Sequence, residues 1–294
     1  MILDSNTKPR IGFIGLGIMG WSMVGHLLVA GYPLNIYNRS KGNAASLIEK
    51  GAKWFDAIGD LAENSDVIIS MVGYPSDVEE IYFGTGNILD RAKNAYLIDM
   101  TTSSPSLAMR IAQAAETKGS HALDAPVSGG DIGARNAKLS IMVGGKQADF
   151  DAVLPIFQLM GANIVLQGGP GAGQHTKMCN QIVIAGTIMG VSEGLAYAKK
   201  AGLDANKVMQ SIGGGAASGF QLLNLGVKMI AGDFAPGFYV EHFLKDLGIA
   251  LDEASKCGLE MPALSLAKQL YIDLVSKGCA RNGTQVLYTK YISE

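Results

Sequence analysis

Cysteine is scarce in this chain, charge is sparse and nearly balanced, and no uninterrupted apolar run is long enough to cross a bilayer. The three cysteines among 294 residues, Cys179, Cys257 and Cys279, stand far apart without metal-ligand spacing. An odd, scattered set argues against a disulfide scaffold and fits a reducing, cytoplasmic setting. Charged residues are 17% of the chain, and 24 basic against 26 acidic side chains leave a net charge of -2. That balance creates no positive field to hold a polyanion, so nucleic acid is not an expected partner. The most apolar run, residues 182–191, lies between Gln181 and Glu193. It is too short to span a membrane and reads as a buried helix, so no membrane association is expected. Residues 1–10 hold no apolar run and do not read as a signal peptide. The histidines His26, His121, His175 and His242 are dispersed, and no metal site is expected.

What is present is apolar mass and glycine. Hydrophobic residues make up 48% of the chain, enough for a sizeable core, and 38 glycines mark tight turns and close backbone approaches. In the first half, β-rich runs at 10–14, 34–37, 67–71, 96–100 and 121–125 alternate with helical stretches at 18–30, 41–50, 75–83 and 104–118. Several of the runs are apolar almost throughout, as strands buried on both faces of a parallel sheet must be. The alternation predicts an α/β domain with a Rossmann-type doubly wound sheet, closed by strands at 139–143 and 163–166. The texture changes at Gly168-Gly169-Pro170-Gly171. Beyond it, 174–201, 206–212, 220–230, 241–257, 262–276 and 284–291 read as helices and no strand is evident. The expected organisation is a nucleotide domain over 1–169 and an all-α C-terminal domain over 170–294.

Gly15-Leu16-Gly17-Ile18-Met19-Gly20 directly follows the first strand and opens a helix. In a G-x-G-x-x-G turn the first glycine permits the bend and the second lets backbone approach a pyrophosphate. The third packs helix on strand, and the phosphates sit at the helix's positive end. Dinucleotide enzymes that prefer NAD end the second strand on Asp or Glu, which binds the ribose hydroxyls. Here the strand runs into Asn38-Arg39-Ser40-Lys41 with no carboxylate. Hydrogen-bond donors around an Arg suit a 2′-phosphate, so NADP is expected ahead of NAD.

Two further segments carry polar chemistry. Asp124-Ala125-Pro126-Val127-Ser128-Gly129-Gly130 ends a strand on the side where α/β sheets bind ligands. Its Ser-Gly-Gly could turn N–H groups toward a carboxylate, or it could be an ordinary glycine turn. Lys177 and Asn180 share a face at the start of a long apolar helix. Spacing alone leaves Lys177 either a surface lysine or a functional one.

Gly15–Gly20, Asp124–Gly130 and Gly171–Asn180, in this order over nearly the whole chain, resemble the β-hydroxyacid dehydrogenase family, that of 3-hydroxyisobutyrate dehydrogenase and the semialdehyde reductases. The resemblance implies a Rossmann domain followed by a helical one, with the active site in the cleft between them. It implies Lys177 as the catalytic acid/base and Ser128, Gly129, Gly130 and Asn180 as substrate contacts. It further implies Met71, Val72, Thr102 and the second lysine, Lys245, beside the cofactor. Two positions depart from the family: Val72-Gly73 replaces a frequent Leu-Pro, and Gln181 stands where a second Asn is common. The implied reaction is hydride transfer between NADP(H) and a small β-hydroxy acid or its semialdehyde, in a homodimer or homotetramer. Lys177 would move the proton, which lysine can do where desolvation favours its neutral form. Imine reductases share the scaffold but lack this lysine. The decarboxylating 6-phosphogluconate dehydrogenases carry a much longer helical domain. A non-catalytic NADP(H)-binding module would have no need of Lys177, Asn180 and Ser128-Gly129-Gly130 together.

Overall fold

The computed structural model describes residues 8–292, so most of the 1–10 segment expected not to be a signal peptide, residues 1–7, lies outside them. Two compact units divide within one long helix, the first Met1–Lys177 and the second Met178–Glu294.

Among the described residues the first unit is built on nine strands: β1 (Ile11–Ile14), β2 (Leu34–Tyr37), β3 (Lys53–Trp54), β4 (Val67–Ser70), β5 (Tyr96–Asp99), β6 (His121–Asp124), β7 (Val127–Ser128), β8 (Leu139–Gly144) and β9 (Gly161–Gly168). Their order is β3-β2-β1-β4-β5-β6-β8-β7, with β9 paired to β8. Strands β1 to β6 run parallel, in register from Ile11↔Leu34 and Ile11↔Val67 outward. Alternation along each strand feeds two cores. Ile11, Phe13, Val67, Ile69 and Ile98 enter one, whereas Ile14, Ile68 and Leu97 enter the other. That two-sided burial is why these strands are apolar throughout.

The sheet is mixed rather than wholly parallel. β8 runs antiparallel to β6 and β7 and parallel to β9. Only the short helix Gly130–Arg135 separates β7 from β8, too little chain for a parallel crossover. Ser128 belongs to a strand and Gly130 opens a helix, in a segment whose sequence is open to either a carboxylate-binding turn or an ordinary glycine turn. Sequence patterning also passed over β3, β7 and the helix Gln147–Phe157, which buries Phe150, Val153, Ile156 and Phe157 despite Pro155 inside it.

The second unit is helical. The helix Ala172–Lys200 enters it and contributes Met178, Ala185, Ile188, Met189 and Leu195 to its core. At 29 residues this helix is, by length and composition, long and apolar enough to cross a membrane. The expectation drawn from residues 182–191 alone is corrected on that point. Its burial in the core is the arrangement of a central packing helix. Val240–Lys256 and Pro262–Ser276 pack on one another, with Phe243 set edge-on to Tyr271 at 5.1 Å. The helix expected at 220–230 is a π-helical turn, Gln221–Gly226, running into Val227–Ala231.

Candidate active site

The glycine turn sits between β1 and the helix Ile18–Val29. Gly15 adopts φ +101, and a Cβ there would lie 2.2 Å from the Met71 carbonyl oxygen. A Cβ on Gly20 would stand 2.0 Å from the Gly15 oxygen, whereas one on Gly17 would meet nothing within 4 Å. Gly15 thus seats the turn against the Met71 backbone, Gly20 seats helix on strand, and Gly17 leaves open space at the helix N-terminus. No side chain caps that end. This is the cradle a dinucleotide pyrophosphate requires, and the residues fit the group. Arg135, held by Asp131 at 2.9 Å, lines the groove beside Gly17 and Ile18. Sequence patterning had no signal for it, since it is one basic residue on a short surface helix.

At the end of β2, Asn38 was expected to donate toward a ligand. Its amide is engaged on the backbone instead: Oδ1 accepts from Leu16 N at 3.1 Å and Nδ2 donates to Ser40 O at 3.0 Å. It locks the strand end to the glycine turn. The Arg39 side chain is 84% exposed, 3.6 Å from Asp77 Oδ1, and Ser40 is exposed beside it. Lys41 lies over the Trp54 ring at 5.4 Å.

Beyond β4 and β5 lies a buried polar cluster. Thr101 Oγ1 accepts from Val72 N at 2.9 Å, which ties the Met71-Val72 turn to the turn carrying Thr102. Asp99 Oδ1 accepts from Ser70 Oγ at 2.8 Å and from Thr101 N at 3.1 Å. Burial pushes the Asp99 carboxyl up to about 6, against the hydrogen bonds from Ser70 and Thr101. The folded protein therefore keeps this carboxyl protonated at pH values where the unfolded chain has ionised it. The resulting stabilisation is complete below about pH 4 and is lost as the pH rises through 6, a swing of about 3 kcal/mol. Asp99→Asn, which stays neutral and keeps the acceptor, should flatten the unfolding free energy between pH 4 and 7. Parallel pH slopes for the two proteins would contradict it.

Asp124, at the end of β6, receives the start of the long helix. Its Oδ1 accepts from Gly171 N at 2.7 Å and its Oδ2 from Gln174 N at 2.8 Å. Burial raises its carboxyl above the usual range, opposed by these backbone bonds. Lys177 follows on the same helix and is only 6% exposed. Its Nζ donates to Val127 O at 2.9 Å, one residue before Ser128. The surface-lysine alternative is thereby removed. Gly129, at φ +130, and Gly130, at φ +60, lead from Ser128 into the next helix.

The second unit carries the other expected residues. Asn180 Nδ2 donates to Gln181 Oε1 at 2.7 Å, and Gln181 Nε2 donates to Asp246 Oδ2 at 2.6 Å. Lys245 Nζ stands 3.1 Å from Asp246 Oδ1. Asp246, buried and unnoticed in the sequence, accepts from Gln181, so the amides of Gln181 and Asn180 are oriented in turn. The longer Gln side chain at 181 makes this link. Burial and the Lys245 charge hold the His242 imidazole below its usual range. His175 is exposed. Among the described residues no cluster of His, Cys, Asp or Glu could hold a metal.

Two family models match. Residues 10–169 match the NAD binding domain of 6-phosphogluconate dehydrogenase, and residues 171–291 match the NAD-binding domain of NADP-dependent 3-hydroxyisobutyrate dehydrogenase. The chain is 47% identical to a probable 3-hydroxyisobutyrate dehydrogenase-like 1, mitochondrial, of Arabidopsis thaliana, over 98% of this chain and 86% of that protein. It is 41% identical to 2-hydroxy-3-oxopropionate reductase of Escherichia coli, over 93% and 92%. Among solved structures, Mycobacterium tuberculosis 3-hydroxyisobutyrate dehydrogenase with L-serine superposes at a TM-score of 0.90 and 28% identity, covering 98% of this chain and all of that one.

Proposed function

Because the chain belongs to the β-hydroxyacid dehydrogenase family, we propose that it transfers a hydride between NADP(H) and a small β-hydroxy acid or its semialdehyde, with Lys177 moving the proton. The observation that carries this reading is the burial of Lys177 with its Nζ 2.9 Å from Val127 O, one residue before the Ser128–Gly130 segment. The bound dinucleotide supplies the hydride or accepts it. In reduction, the substrate carbonyl oxygen takes a proton from the Lys177 ammonium as the carbon–oxygen π bond breaks, and the lysine is reprotonated from solvent. In oxidation the neutral amine takes the hydroxyl proton. Ser128 and the N–H groups of Gly129 and Gly130 hold the carboxylate, and Asn180 contributes from one turn along the helix. The relatives named for 3-hydroxyisobutyrate and 2-hydroxy-3-oxopropionate support a short acid as substrate. The sparse cysteines support a reducing, cytoplasmic compartment. Exposed Val183, Tyr197 and Phe220 on the helical unit support a homodimer or homotetramer.

The preference for NADP(H) rests on Arg39 and on the absence of a carboxylate after β2. Arg39 is largely in water, which weakens its pairing, so Arg39→Gln should weaken NADPH binding by about tenfold. NADH binding should be unmoved. Equal loss for both cofactors, or a wild type that favours NADH, would remove the preference. The function itself is tested by NADPH oxidation against succinic semialdehyde, glyoxylate and tartronate semialdehyde, repeated with NADH.

A further inference from the structure

Lys177 is not the only side chain that the first turns of the long helix place. Gln174, three residues earlier, is fully buried. Its Oε1 accepts from Ser103 N at 2.9 Å, and its Nε2 donates to Thr101 O at 2.7 Å. The two bonds straddle Thr102. Thr101 passes the restraint on, since its hydroxyl carries Val72 N at 2.9 Å and its own N–H is held by Asp99. The helix start is itself seated without slack. Asp124 holds the N–H groups of Gly171 and Gln174, and a Cβ on Gly173 would lie 2.4 Å from Met142 O and 2.6 Å from Asp124 O. One rigid helical turn therefore grips the 101–103 turn through Gln174 and reaches Val127 through Lys177.

We propose that Gln174 is a positioning residue: it fixes the cofactor-contacting 101–103 turn, and through Thr101 the Val72 turn, in register with Lys177. The roles of Thr102 and Lys177 in this statement rest on the function proposed above. A primary amide suits the task because it donates to a carbonyl and accepts from an N–H at one end. A carboxylate would oppose the Thr101 oxygen, and an apolar side chain would leave both backbone groups buried and unpaired. Hydride and proton transfer tolerate little misplacement of the groups around the reacting carbon. The two segments that supply those groups are 73 residues apart in the chain, and this side chain joins them.

The test is Gln174→Met, close in volume and without either bond. NADPH dissociation followed by cofactor fluorescence needs no turnover and is read beside thermal melting and kcat. The expected result is a folded protein whose NADPH dissociation constant rises about tenfold and whose kcat falls by a similar factor, the worth of one mispaired buried site. Gln174→Glu, which keeps the bond from Ser103 but turns a carboxylate oxygen toward the Thr101 oxygen, should shift both in the same direction. It decides the matter if the Met variant does not fold. A lower melting temperature with unchanged NADPH affinity and kcat would reduce Gln174 to a structural residue and overturn the proposal. A wild type inert toward every semialdehyde would sink the proposed function alone, because the comparison of NADPH affinities would still be read.

Discussion

Lys177→Ala should lower kcat by about 10²–10⁴ on the reactive semialdehyde, the range that a positioned acid or base contributes. Cofactor affinity should stay near wild type, because the side chain is held at Val127 beside the proposed carboxylate segment and not at the glycine turn. The fold should survive. The alanine variant leaves the Val127 oxygen without this donor, which costs about 1–2 kcal/mol. Lys177→Arg should be nearly as poor a catalyst. Guanidinium does not give up its proton near neutral pH, and it is larger than the ammonium that is buried here. Steady-state kinetics with NADPH titration check both variants. A Lys177→Ala enzyme retaining most of its kcat would pass the proton role to another group.

Gly17→Ala and Gly20→Ala should fail in opposite ways. An added Cβ at Gly17 meets no protein atom within 4 Å, and its backbone, at φ -72, suits any residue. Stability should be unchanged, while the methyl group keeps the pyrophosphate from the helix N-terminus. NADPH affinity should fall by about 10–100-fold, the worth of one or two charge-assisted hydrogen bonds. At Gly20 the Cβ would overlap the Gly15 oxygen at 2.0 Å, which forces helix and strand apart. Loss of about 3 kcal/mol of stability is expected there, comparable with severe overpacking. Chemical denaturation and fluorescence titration separate the two effects. If Gly17→Ala bound NADPH like the wild type, the turn would not be the phosphate cradle.

The parallel strands could be read in the sequence because burial on both faces leaves unbroken apolar runs, as in Val67–Ser70 and Tyr96–Asp99. The two-residue strands β3 and β7 are too short for any period to show. The antiparallel turn of β8 depends on how little chain separates it from β7. At the candidate site, spacing left Lys177 open and the family resemblance pointed to it, but its burial is a tertiary fact. So are the contacts of Asp124 and Gln174, which span 47 to 73 residues of chain. Asn38 shows the converse. Its type suggested a ligand donor, and its neighbours in the fold use the amide to fasten the glycine turn.

The proposed reaction is hydride transfer from NADPH to a short carboxylate-bearing carbonyl compound. Its most direct measurement is the rate of NADPH oxidation by the purified protein with succinic semialdehyde, glyoxylate and tartronate semialdehyde, beside a cyclic imine. Turnover is expected with at least one of the three acids, with formation of the corresponding hydroxy acid in equal amount and no reaction with the imine. Reduction of the imine with all three acids untouched would contradict it.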